Sequence, residues 1–242
     1  MYVCLRPYIP LREEASDRAQ MLTQLLFGER YRILESNEHW HLIETLFDSY
    51  RGYIYCRHPD QYLSSEEVMW ISLTAKTSIK ERSSGAKMLL GPGCFLSESL
   101  STRYQVKSED WKLITTPTDY RLYQLAMSFH GSPYLWGGRS IHGIDCSGLT
   151  QACLKIKGIK VPRDSGPQEK EGIKVEFGGH QPDDLAFFQK NGKIYHTGIL
   201  MPDNKIIHAS EWVKIDQFTA EGIVSDRGEL THPLHSIKRI SS

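Results

Sequence analysis

No apolar stretch in the 242 residues approaches the length needed to cross a bilayer, which excludes a bilayer-spanning helix. The opening Met1-Tyr2-Val3-Cys4-Leu5-Arg6-Pro7 lacks a basic segment followed by an apolar core. Read as a native start, it predicts a protein that is not exported through a cleaved signal. Charge of one sign is not in excess either, since 29 Lys and Arg balance 29 Asp and Glu. That balance argues against nucleic acid or an acidic membrane surface as a partner. Cysteine is scarce and irregularly spaced: Cys4, Cys56, Cys94, Cys146 and Cys153, with no CxxC pair. Neither a disulfide framework nor a zinc site is indicated, so no metal or cofactor is expected and a reducing, cytoplasmic setting fits best.

What is present is ordinary globular composition, 40% hydrophobic and 24% charged. The length is generous for one core and suits two or three modules. From Tyr2 to about Tyr62, short alternating runs broken by turns predict strands of a small barrel, among them Trp40 to Thr45 and Arg51 to Tyr55. Propensity also permits a helix through Glu13 to Leu26. From about Val68 to Thr115 a similar layout recurs, and Trp111-Lys112-Leu113-Ile114 parallels Trp40-His41-Leu42-Ile43, which predicts two copies of one β-module. Thr115-Thr116-Pro117-Thr118-Asp119 reads as a linker whose Thr and Asp residues offer an N-cap.

Beyond the linker, Tyr120 to Phe129 has helical spacing, and a second helix spans Gly148 to Lys155, ended by Gly158. Asp184 to Phe188, Thr197 to Leu200 and Lys205 to Ala209 read as successive strands, with Asn191-Gly192 and Asp203-Asn204 as turns. Helices followed by an antiparallel sheet predict an α+β domain.

The chemistry centres on Asp145-Cys146-Ser147-Gly148, between a glycine-rich turn and the second helix. A cysteine at a helix start feels the partial positive charge of unpaired backbone N–H groups, which favours the reactive thiolate. The same residue also reads as a small buried hydrophobe. A thiol nucleophile needs a base and a group that orients the base. His196 opens one predicted strand and His208 lies near the end of the next, so a short hairpin brings the two imidazoles together. Each also reads as a strand residue with one backbone hydrogen bond. His142 sits in the glycine-rich turn and is a poor base; His39, His41 and His58 lie in the first β-module and read as solvated. No third ligand lies at metal-binding distance in sequence from His196 and His208.

Tyr134-Leu135-Trp136-Gly137-Gly138, Asp145-Cys146-Ser147-Gly148-Leu149, Pro162-Arg163-Asp164-Ser165, Gln181 to Phe188, His196-Thr197-Gly198-Ile199 and Ile207-His208-Ala209-Ser210 together resemble the NlpC family of papain-like cell-wall cysteine peptidases. The N-terminal half is similar to the bacterial SH3-like barrels that precede this domain in many members. The resemblance implies a papain-like domain over 117–242, helices packed on an antiparallel sheet, behind two small all-β SH3-like barrels at 1–65 and 66–116. It implies hydrolysis of the bond between γ-D-glutamate and L-lysine or meso-diaminopimelate in peptidoglycan stem peptides with a free N-terminal L-alanine. Cys146 would be the nucleophile, His196 the base and then acid, and His208 its orienter. The Cys146 backbone N–H and the Tyr134 hydroxyl would hold the oxyanion, although Tyr134 equally reads as a packing residue.

The same resemblance assigns Asp164 and Ser165 to the substrate's amino terminus, and Asp145 and Ser147 to the D-glutamate. From the first barrel, Tyr53 is the candidate contact, with Glu13, Glu14, Tyr50 and Tyr55 behind it. Relatives often carry Glu before the barrel glycine and Trp after it, where this chain has Arg51 and Tyr53. The implied partner is a small murein peptide, with no nucleic acid and no membrane, for a monomer engaged in cell-wall peptide recycling. The alternatives are a non-catalytic peptidoglycan-binding protein and a papain-like amidase or acyltransferase acting on another γ-glutamyl substrate.

Overall fold

Alternation of buried and exposed side chains builds the N-terminal strands, as a half-buried sheet requires. β1 (Tyr8–Arg12), β2 (Met21–Leu26), β3 (Arg30–Asn37), β4 (Trp40–Thr45) and β5 (Arg51–Tyr55) lie in the order β2-β1-β5-β4-β3, all antiparallel. In β4 the residues His41, Ile43 and Thr45 point inward, and in β5 Gly52 and Ile54 do so. Ile43 and Ile54 close on Ile9, Leu11, Leu25 and Tyr31 to form one core. The helix that propensity permits over Glu13 to Leu26 does not form: residues 13–20 are turns, and Met21–Leu26 is a strand.

A computed structural model describes residues 1–61, 68–74, 77–116 and 118–240. The expected boundary between residues 65 and 66, and Pro117 of the expected linker, lie outside the described residues. The chain divides into two compact units, one of Met1–Pro117 with Trp136–Ile141, the other of Thr118–Leu135 with His142–Ser242.

The rest of the first unit contains β6 (Met69–Ser72), β7 (Thr77–Glu81), β8 (Lys87–Leu90), β9 (Phe95–Ser97), α1 (Glu98–Arg103) and β10 (Trp111–Leu113). β6 pairs with both β9 and β10, and β7 with β8. Their core of Ile79, Leu90, Leu96 and Trp111 also takes in Leu26 and Phe27 from the end of β2. The two Trp-centred tetrapeptides run out of phase. Trp111 is buried and Leu113 exposed, whereas Trp40 is half-buried and its neighbours His41 and Ile43 point inward. A one-residue offset turns a strand over, so the shared letters do not occupy equivalent positions.

Within the same unit Arg139 is buried against Glu29, its Nη2 and Nη1 at 2.9 and 3.1 Å from the two carboxylate oxygens. Its backbone N–H donates to Gln24 Oε1 at 2.8 Å, and Nη1 donates to the Gln24 carbonyl at 2.9 Å.

The second unit opens with α2 (Leu122–Met127). Its N-cap is Arg121, whose backbone N–H donates to Gln124 Oε1 at 2.8 Å, rather than one of the linker's Thr or Asp residues. α3 (Cys146–Ile156) and α4 (Ser165–Glu169) follow, then β11 (Ile173–Val175), β12 (Leu185–Lys190), β13 (Lys193–Met201), β14 (Lys205–Ser210), β15 (Trp212–Phe218), β16 (Gly222–Val224) and β17 (Leu230–Arg239). The sheet runs β11-β17-β12-β13-β14-β15-β16, and a further pairing of β16 with β17 closes six of these strands on themselves. The connections β12–β13 and β13–β14 are tight turns of two and three residues, with Asn191, Gly192, Asp203 and Asn204 all at positive φ; both residues of the Asn191-Gly192 loop have the sign that a two-residue type I′ hairpin demands. α3 packs against β13 and β14 and is buried along its whole length. This is the α+β arrangement expected from the order of elements.

Candidate active site

Helix α3 begins at the cysteine because Asp145 ends the preceding extended segment and caps it. Asp145 Oδ1 accepts from the Gly148 backbone N–H at 2.7 Å, leaving Cys146 as the first helical residue. Arg163 grips the same carboxylate through two nitrogens, Nη1 to Oδ1 at 2.9 Å and Nη2 to Oδ2 at 2.7 Å, and gives a further bond to Ser147 Oγ at 2.9 Å. Both charged side chains are below 10% exposure. Asp145 and Ser147, expected at the substrate's D-glutamate, are thus engaged inside the fold, where they fix the helix start. Gln168 of α4 ties the same region together, taking a bond from Thr150 Oγ1 at 2.7 Å and donating to the Ser147 carbonyl at 3.1 Å.

The thiol faces β13. Cys146 Sγ lies 4.0 Å from the Tyr195 carbonyl, and the Thr197 backbone N–H is directed at it, so the sulfur contacts the strand on both sides of His196. The thiolate expected from the helix start is not favoured: burial, reinforced by the Asp145 charge, pushes the thiol up to about 12, against the opposing pull of the Thr197 and Ser147 N–H groups. The magnitudes decide this outcome. A helix terminus contributes at most about 2 kcal/mol, about 1.5 pKa units, whereas full desolvation moves a group by up to about 3–5 units.

Three adjacent antiparallel strands supply a diagonal row of polar residues. Gly198 of β13 pairs with His208 of β14, which pairs with Lys214 of β15. His196 is two residues before Gly198 and Asp216 two residues after Lys214, so they sit on opposite sides of His208 on one sheet face. His196 Nε2 is 2.9 Å from His208 Nδ1, and His208 Nε2 is 3.0 Å from Asp216 Oδ2. With Nε2 of His196 committed to His208, Nδ1 is the ring nitrogen left to exchange a proton with the thiol. Burial first, then the neighbouring charges of His208, His232 and Lys214, hold His196 well below the usual histidine range. Burial likewise lowers His208 against the opposing pull of Asp216, while the bond from His208 lowers Asp216.

Sequence reasoning missed two residues of this cluster. One is Asp216; the other is His232 of β17, whose ring lies 4.2 Å from that of His196 and is stacked on Tyr195 at 5.7 Å. Burial pushes His232 down to about 4. The only signal for Asp216 was its place on the strand after His208, one hairpin away. A cleft of about 550 Å³ adjoins the row, lined by Trp212, Lys214, Asp216, Arg227, Glu229 and His232 among others.

The other expected residues fall as follows. Tyr134 is half-buried, and burial together with the charges of Cys146 and Asp145 pushes its phenol up to about 12, so it stays protonated and able to donate. Asp164 is the N-cap of α4 with its side chain exposed, and Ser165 is the first residue of that helix. Tyr53 is half-buried on β5 of the other compact unit, opposite Arg12. Among the described residues no group of His, Cys, Asp and Glu could hold a metal ion.

The NlpC/P60 family matches residues 131–226, and the bacterial dipeptidyl-peptidase SH3 domain matches residues 11–58. The chain is 36% identical over 122 residues to a γ-D-glutamyl-L-lysine dipeptidyl-peptidase of Bacillus cereus, covering 49% of this chain and 35% of that protein. A protein of the same name from Bacillus subtilis is 38% identical over 91 residues, covering 36% of this chain and 31% of its own. The chain spans about a third of the length of these curated relatives. A crystal structure of an NlpC/P60 family protein from Bacillus cereus superposes with a TM-score of 0.84 over 98% of both chains at 20% identity, which is likeness of fold.

Proposed function

From an NlpC/P60 domain at residues 131–226 that follows a bacterial dipeptidyl-peptidase SH3 domain at residues 11–58, we propose that this chain is a cysteine peptidase. It cleaves the γ-D-glutamyl-L-lysine or γ-D-glutamyl-meso-diaminopimelate bond of stem peptides that carry a free L-alanine terminus, and it releases L-Ala-γ-D-Glu. The observation that carries the reading is the His196–His208 bond of 2.9 Å on a strand whose backbone also contacts the Cys146 sulfur. The names of the Bacillus relatives support the bond assigned. We place the reaction in the recycling of free murein peptides in the cytoplasm.

In the free enzyme the thiol and His196 are both neutral, so the proton moves as the attack occurs. His196 Nδ1 takes the Cys146 S–H proton while sulfur bonds to the γ-carbonyl carbon and the carbonyl becomes an oxyanion. The backbone N–H groups at the start of α3 and the Tyr134 hydroxyl stabilise that oxyanion; one such donor is worth about 3 kcal/mol. Collapse breaks the C–N bond and the departing amine takes the proton from His196. Water then hydrolyses the thioester, again with His196 as base. Because the amine is protonated by His196, the leaving diamino acid lies on the histidine side, where the cleft beside His232 offers Arg227 for a carboxylate and Glu229 for an ammonium.

The test is turnover of L-Ala-γ-D-Glu-L-Lys and its diaminopimelate counterpart, each free and N-acetylated, with products identified by mass spectrometry. Release of L-Ala-γ-D-Glu from the free peptides and strong suppression by N-acetylation are expected. Equal rates on blocked and free peptides would remove the dipeptidyl-peptidase assignment.

A further inference from the structure

We propose that Asp216 is a positioning residue for the reaction: through its bond to His208 it dictates where the proton sits on both histidines and so presents a bare Nδ1 of His196 to the thiol. The inference rests on Cys146 and His196 being the nucleophile and base, and it adds a residue that the sequence motifs do not contain.

A carboxylate has no proton to give, so at 3.0 Å the bond between His208 Nε2 and Asp216 Oδ2 is donated by the histidine. A neutral imidazole carries one N–H, and with Nε2 protonated the Nδ1 of His208 is an acceptor. The 2.9 Å contact between His208 Nδ1 and His196 Nε2 is then donated by His196. His196 in turn has its proton on Nε2 and a lone pair on Nδ1, the state a base for the thiol requires. Without the carboxylate, His208 is equally satisfied with its proton on Nδ1, donating to His196 Nε2. That reversed arrangement puts the His196 proton on Nδ1, the nitrogen left for the thiol, and no base remains.

Other groups packed on this row cannot replace Asp216. Lys214 on β15 lies 3.8 Å from Asp216 Oδ2 and 4.9 Å from the Trp212 ring centroid, and it can only donate. His232 on β17 packs its ring on that of His196 at 4.2 Å, tilted by 30°, and its Nδ1 is 2.8 Å from Thr231 Oγ1. On the helix side the Cys146 sulfur lies against the backbone of the residues flanking His196, 4.0 Å from the Tyr195 carbonyl and with the Thr197 N–H directed at it. Asp216 is therefore the acceptor that breaks the symmetry between the two proton arrangements, and it also stabilises the imidazolium formed when the thiol gives up its proton. The same logic makes the buried aspartate of serine-protease triads indispensable, transmitted here through a second histidine.

The experiment has two readouts. Long-range ¹⁵N–¹H spectra of the free wild-type protein near pH 7 are expected to show His208 and His196 both protonated on Nε2. Asp216→Asn and Asp216→Ala are expected to lower kcat by about 10²-fold with little change in KM, the size of effect seen when an orienting partner is lost. They are also expected to move the acid limb of kcat/KM to lower pH, because the carboxylate that favours protonation of His208, and through the His208 bond backs an imidazolium at His196, is gone while Lys214 and His232 still oppose that charge. Glutamate at 216 is expected to restore part of the rate. A wild-type His208 protonated on Nδ1, or variants with unchanged kcat and an unmoved acid limb, would overturn the proposal. If Asp216→Ala does not fold, Asp216→Asn and the wild-type spectrum decide. If the wild type fails to cleave the stem peptides, the cleavage reading falls while the spectra still decide the role of Asp216.

Discussion

Gly198 stands directly opposite His208 in the β13–β14 ladder, and a Cβ added at 198 would lie 2.9 Å from His208 Cβ and 2.8 Å from Ile206 Cδ1. The missing side chain is what lets the His208 ring lean across to His196. Gly198→Ala is therefore expected to displace that ring and lower kcat by about 10²-fold, the cost of a misplacement of about 1 Å, with a folded far-UV spectrum. A variant with wild-type kcat would show that the close approach does not govern the histidine.

Reactivity of the thiol follows from its burial. With Cys146 pushed up to about 12 and His196 held neutral, little thiolate exists near pH 7. Alkylation by iodoacetamide, mapped to the Cys146 peptide, is expected to be slow at pH 7 and to rise through the alkaline range. Rapid labelling with a plateau from pH 5 to 8 would instead reveal a preformed ion pair.

Arg163 neutralises a carboxylate that is itself buried, with contacts of 2.9 and 2.7 Å. Removing it strands that charge, so Arg163→Met is expected to destabilise the domain by about 3–5 kcal/mol. Pairing it with Asp145→Asn is expected to recover a large part of that loss. Chemical denaturation measures both; additive losses in the double variant would contradict the coupling.

Acid sensitivity follows from three histidines. His196, His208 and His232 all bind protons less readily in the fold than their ordinary 6.5, His232 only at about 4. Below 6.5 the unfolded chain takes up more protons than the native state, so this contribution is complete above that value and is lost as the pH falls toward the folded values. Melting temperature is expected to drop from pH 7 to 5, and His232→Phe is expected to flatten that drop. A pH-independent melting temperature would count against neutral buried imidazoles. Asp216, lowered from 3.8, acts only at still lower pH.

How much of this was legible in the sequence depends on the range of the interaction. Cys146 at a helix start, the strand pair bearing His196 and His208, and the turns at Asn191-Gly192 and Asp203-Asn204 are local signals, and the structure has each of these elements. Asp216 was hidden because β15 has no clean alternation, its burial running through four partly exposed or half-buried residues after Val213. The pairing of Asp145 with Arg163 was not legible because the two are 18 residues apart in sequence and meet only in the folded chain. The thiolate expectation failed for a similar reason: a helix start is visible in the letters, whereas desolvation of the sulfur requires the packing of α3 on β13. The matching Trp tetrapeptides do not occupy equivalent positions, because identity of letters says nothing about which face a strand presents.

The most direct test of the central claim is turnover of L-Ala-γ-D-Glu-L-Lys by the wild type and by Cys146→Ala at matched concentration, with folding checked by circular dichroism. Cys146 as nucleophile predicts release of L-Ala-γ-D-Glu by the wild type and none above the uncatalysed rate by the folded variant. Cleavage by Cys146→Ala at the wild-type rate would contradict it.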